Sequence, residues 1–127
     1  MGAYHALTFL LRRPDIFDKT LAMSGIYEAD SFFKGYHDEL TYENSPLKFI
    51  PNLSIDHPYM DMYGSCEIVV CVGRGRWEDE CIDSTQRMKN AFEARGINAW
   101  VDFWGYDVDH DWPWWRKQMH YFLQFMC

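Results

Sequence analysis

The sequence is short of positive charge, and that absence excludes the most. Twelve Lys and Arg stand against nineteen Asp and Glu, a formal charge of −7. A nucleic-acid partner would need a basic face, and an anionic membrane surface would repel this chain. Long apolar runs are also missing: none approaches the roughly 20 residues that a membrane helix requires. The opening Met1-Gly2-Ala3-Tyr4-His5 has neither the basic region nor the apolar stretch of a secretory signal. Cysteine is sparse and shows no C-x-x-C pairing. Cys66, Cys71, Cys81 and Cys127 are expected to be free thiols in a reducing, cytoplasmic setting. No His or Cys pair has zinc-ligand spacing, and Asp107, Asp109, His110 and Asp111 match no calcium loop. Gly73-x-Gly75 lacks the third glycine and the Lys-Ser/Thr of a phosphate loop. No metal and no cofactor is therefore expected.

Aromatic residues are abundant: six Trp, eight Tyr and nine Phe in 127 residues, enough for one domain with a real core. Ala3, Ala6, Leu7, Leu10 and Leu11 repeat at helical spacing, and Pro14 stops that helix. It opens at Gly2 with no residue to cap it, which suggests a chain that begins inside a larger design. Thr20 to Gly25 reads as a short buried strand. Residues 26–58 lack clear periodicity and read as an excursion with short helices, and His57–Tyr63 as one or two helical turns.

Glu67 to Gly73, apolar throughout Ile68–Val72, is the clearest strand and has the composition of a parallel one. A helix is expected over about 80–95, a strand over 97–104 and a last helix from Trp112-Pro113 onward. Strands alternating with helices imply a parallel sheet with right-handed crossovers. Three strands are expected, with the first at an edge.

In such sheets the chemistry collects in loops after the carboxyl ends of strands. Two such loops hold the polar clusters, Gly73–Glu80 and Gly105–Trp112. A carboxylate in one and His110 in the other form a base and the acid that orients it, as hydrolysis through an activated nucleophile requires. The acidic run also suits the start of the following helix, where carboxylates meet the positive end of the dipole. His5, His37, His57 and His120 read as structural or merely exposed. Ser24 lacks a Gly-x-Ser-x-Gly frame and does not read as a nucleophile.

Met1-Gly2-Ala3-Tyr4 running into a helix, Arg13-Pro14-Asp15-Ile16-Phe17, Ala22-Met23-Ser24-Gly25 and Gly105…His110-Asp111-Trp112 with Trp115-Arg116 together form a recognisable series. In these residues the chain resembles the C-terminal half of the putative-esterase family of α/β hydrolases, the esterase D-like enzymes. The resemblance implies a partial α/β-hydrolase fold of three parallel strands flanked by helices over residues 1–127, and a small ester as substrate. It implies His110 as general base and Asp79 as the orienting acid, with Glu78 the alternative. The nucleophilic Ser would precede Met1, and Met1 would stand at the oxyanion-hole position.

Two functions follow from this resemblance. One is a serine carboxylesterase-like fragment that holds the acid and the base but lacks the nucleophile, inactive alone unless another chain supplies one. The other is a non-catalytic module on an esterase-derived framework. The first strand's uncovered edge, or the bare apolar face of the sheet, points to a homo-oligomer.

Overall fold

The structure, a computed structural model, describes residues 2–28 and 45–126. Met1, His37, Cys127 and residues 29–44 of the expected excursion lie outside the described residues. The elements in chain order are α1 (Gly2–Arg12), β1 (Lys19–Met23), α2 (Pro46–Asn52) and α3 (Pro58–Tyr63). They are followed by β2 (Glu67–Val72), α4 (Asp79–Ala94), β3 (Trp100–Phe103) and α5 (Trp112–Met126). The strands form one parallel sheet in the order β1-β2-β3, with Ala22 opposite Val70 and Val70 opposite Val101.

The alternation of β2 builds three layers. Ile68 and Val70 face a core that they share with Leu7, Leu10 and Leu11 of α1, Ile50 of α2, and Met88 and Phe92 of α4. Val69 and Cys71 face the other way and pack against Phe122 and Met126 of α5. A strand sandwiched between two helical layers must be apolar at every position, and β2 is buried from Ile68 to Val72.

Two strands are shorter than their composition suggests, each for a local reason. β1 ends at Met23 because Ser24 takes φ 53°, the left-handed region, although its amide still bonds Cys71 O at 2.9 Å. β3 starts at Trp100 because Ile97 belongs to the close of α4. Gly96 turns at φ 68°, the Ile97 amide donates to Phe92 O at 2.9 Å, and the Ile97 side chain packs into the core. At the start of α3 the amide of Tyr59 donates to His57 Nδ1 at 3.1 Å, so His57 serves as a cap. No helix among the described residues is long and apolar enough to cross a membrane.

Candidate active site

The two polar loops lie side by side at the carboxyl ends of β2 and β3, zipped together by backbone bonds. Arg74 N donates to Gly105 O at 3.0 Å, Gly75 N to Val108 O at 2.9 Å, and His110 N to Arg76 O at 2.9 Å. Arg76 N also donates to Asp109 Oδ1 at 2.6 Å. A Cβ at Gly73 or Gly75 would collide with the Val108 backbone, so these glycines exist for close approach between the loops. That contact fixes the relation between Glu78 at the end of one loop and His110 near the end of the other.

Glu78 and Asp79 are neighbours in sequence with opposite environments. Glu78 is wholly buried, whereas Asp79 is exposed at the first turn of α4 and lines the rim of a cleft of about 430 Å³. The preceding residue, Trp77, holds φ 62° while its indole stays exposed, an uncommon backbone state for a bulky side chain. Glu78 Oε1 accepts a hydrogen bond from Ser24 Oγ at 2.7 Å, and Ser24 Oγ accepts in turn from Trp115 Nε1 at 3.1 Å. Glu78 Oε2 is sealed from solvent, has no hydrogen-bond partner, and lies 3.7 Å from His110 Nδ1. Burial raises the Glu78 carboxyl above the ordinary range. The Ser24 hydrogen bond and the nearby imidazole oppose that rise without overcoming it.

His110 Nδ1 has a second neighbour, Cys81 Sγ at 3.9 Å. Cys81 donates its thiol hydrogen to Ser24 O at 3.3 Å, which leaves the sulfur an acceptor toward the ring. Burial, reinforced by the charges of Glu78 and Glu80, pushes that thiol up to about 11. Nδ1 therefore faces two acceptors, which favours the imidazole tautomer with its hydrogen on Nδ1 and a lone pair on Nε2. Trp115 stands edge-on to the ring at 4.8 Å between centroids and braces it. His110, about one-third exposed, borders both the acidic cleft and a second of about 370 Å³. The second cleft is lined by Gly2 and Ala3 of α1 together with Leu21, Met23 and Trp112, so the amino end of α1 opens beside the imidazole.

Of the residues singled out from sequence, the fold brings His110 and Glu78 together and leaves Asp79 at the rim. Ser24, Cys81 and Trp115 complete the cluster. Sequence patterning assigned them no part in it, because they lie on three separate elements. The advance signals were the places of Ser24, in Ala22-Met23-Ser24-Gly25, and of Trp115, beside Arg116, in the series that carries the family resemblance.

Several known proteins are similar to this chain. A ferulic acid esterase is 22% identical over 98% of this chain and 46% of its own, with a TM-score of 0.74. An S-formylglutathione hydrolase (FrmB) from Staphylococcus aureus, solved as the apoenzyme, is 16% identical over 99% of this chain and 47% of its own, with a TM-score of 0.67. FphF, a fluorophosphonate-binding serine hydrolase of the same species solved with substrate bound, is 18% identical, covers 98% and 50%, and has a TM-score of 0.64. These are likenesses of fold, and the chain spans about half the length of each structure. A comparison with curated protein sequences yields no match. The "Putative esterase" family matches residues 1–126, and the chain belongs to that family.

Proposed function

We propose that this chain carries the base and acid of a serine carboxylic-ester hydrolase site, with His110 as general base and Glu78, rather than Asp79, as the acid that orients it. The observation that carries the reading is the environment of Nδ1. Two acceptors, Glu78 Oε2 and Cys81 Sγ, lie on that side of the ring, so the Nε2 lone pair is left for a nucleophile. In the reaction, Nε2 takes the proton of a seryl hydroxyl as its oxygen bonds to the ester carbonyl carbon. Glu78 stabilises the resulting imidazolium, which returns the proton to the departing alcohol. Water then repeats the sequence on the acyl-enzyme and releases the acid.

Among the described residues no side chain is poised as that nucleophile. The Ser24 hydroxyl is committed to Glu78, and the Cys81 thiol donates its hydrogen to the Ser24 carbonyl. The lining of the second cleft by Gly2 and Ala3 supports a nucleophile held at the amino end of α1; with a residue ahead of it, Met1 gains the amide that would contribute to the oxyanion hole. The substrate class is a small ester, its two halves lying in the two clefts that meet at His110. Neither a nucleic acid nor a cofactor enters this scheme.

The test is an assay of the 127-residue chain, and of its His110→Ala variant, on a short-chain chromogenic ester. Both are expected to match the buffer background. A fusion that restores a family nucleophile segment ahead of α1 is expected to hydrolyse the ester, with a loss of about 10³-fold or more in His110→Ala. A clear His110-dependent rate from the 127 residues alone would contradict the placing of the nucleophile ahead of α1. A fusion whose rate ignores His110→Ala would remove its role as base.

A second reading, self-association through β1, has one observation in its favour: among the described residues β1 pairs with a strand on one side only. Its free backbone donors and acceptors invite a second copy. Light scattering is expected to show a concentration-dependent oligomer, and a monomer across the micromolar range would overturn this reading.

A further inference from the structure

We propose that Glu78, Cys81 and His110 form a binding site for a thiophilic divalent cation, with Zn²⁺ the expected occupant, and that metal and base function compete for the same imidazole. The carboxylate oxygen, the sulfur and a ring nitrogen all lie within 4.8 Å of one another, with Nδ1 at 3.7 Å from Oε2 and 3.9 Å from Sγ. Bonds of about 2.0–2.3 Å to a tetrahedral ion place ligand atoms roughly 3.3–3.8 Å apart, so small side-chain adjustments close the shell. A second, independent observation points the same way. Glu78 Oε2 is wholly buried, has no hydrogen-bond partner and lies 3.7 Å from His110 Nδ1.

The placement suits capture of an ion. Glu78 immediately precedes α4 and Cys81 lies in its first turn, three residues on, while His110 reaches in from the facing loop. The partial exposure of His110 leaves a route in and a fourth position for water. Exposed Asp79 and Glu80 line the cleft mouth and raise the local cation concentration. One sulfur, one nitrogen and one oxygen donor select zinc over magnesium or calcium, which prefer oxygen alone. As the metal–sulfur bond forms, Cys81 Sγ loses to solvent the proton it had donated to the Ser24 carbonyl. As Nδ1 binds the ion its hydrogen is given up and the ring carries a hydrogen on Nε2 instead, which removes the lone pair the base needs. Spacing along the chain hides this set, because the histidine follows the cysteine by 29 residues.

Binding is independent of the esterase reading. The competition clause rests on that reading, and the two are tested separately. The untagged 127-residue chain is titrated with Zn²⁺ by calorimetry, and with Co²⁺ for its thiolate-to-metal absorption band. One ion per chain is expected. Cys81→Ser and His110→Ala are each expected to weaken Zn²⁺ by at least about tenfold and to remove or shift the cobalt band. Cys66→Ser, Cys127→Ser and His57→Ala are expected to leave both signals intact. Should Cys81→Ser fail to fold, His110→Ala, on a part-exposed loop, decides the matter. Unchanged affinity in His110→Ala, or a cobalt band that follows Cys66 or Cys127, would overturn the site. In the active fusion, Zn²⁺ is expected to inhibit with a constant equal to its binding constant. Binding without inhibition would overturn the competition and leave the site standing.

Discussion

The interior of the sheet and its carboxyl edge are built by opposite rules. In the interior, Leu7, Leu10, Val70, Met88 and Phe92 are fully buried among apolar neighbours and hold nothing that needs a partner. Just past the carboxyl ends of β1 and β2, Ser24 and Trp77 hold left-handed backbone, a carboxylate is wholly buried and one of its oxygens is unmatched. Such features cost stability and persist only where the surroundings enforce them, here through the glycine-tight contact of the two loops. The difference separates what holds the fold from what the fold holds in place.

That contrast can be broken at either end. The largest stability effect belongs to the interior: Phe92→Ala is expected to cost about 3–5 kcal/mol, read by denaturant unfolding. A cost below about 1 kcal/mol would mean that this core is not closely packed. At the edge the sign reverses. Trp77→Gly relieves the left-handed residue and gives up little buried surface, because the Trp77 side chain is largely exposed, and is expected to stabilise by about 1 kcal/mol. A loss of stability would show that the indole has a packing role.

The smallest effect is a slope. Because burial raises the Glu78 carboxyl above its ordinary value, the folded chain binds that proton more tightly than the unfolded chain does. Its contribution to stability is full below the ordinary carboxyl range and falls as pH rises toward the native value. Glu78→Gln cannot ionise and is expected to flatten that fall in Tm against pH, keeping its advantage at neutral pH. Parallel profiles for the two proteins would contradict the buried charge.

Much of this architecture was legible in advance, because hydrophobic period reports directly on burial. The unbroken apolar run Ile68–Val72 identified a strand covered on both faces, and the spacing of Leu7, Leu10 and Leu11 identified the face of α1. His110 stood out as a candidate from its place in a loop after a strand and from the motif around it. The choice between Glu78 and Asp79 was not. Adjacent carboxylates look alike to any pattern, and what separates them is the turn of the chain at Trp77, where a bulky residue adopts positive φ. The cluster of Ser24, Cys81 and Trp115 was hidden for another reason. It is assembled across 54 to 91 residues of sequence by loops whose mutual register only the folded sheet provides.

The central claim is that a buried Glu78, not the exposed Asp79, holds His110 ready as a base. The most direct measurement compares ester hydrolysis by the nucleophile-restored fusion with that of its Glu78→Gln and Asp79→Asn variants. The account predicts a fall in kcat of about 10³-fold or more for Glu78→Gln, and a rate within about threefold of the parent for Asp79→Asn. The reverse pattern, with Asp79→Asn inactive and Glu78→Gln unaffected, would contradict it.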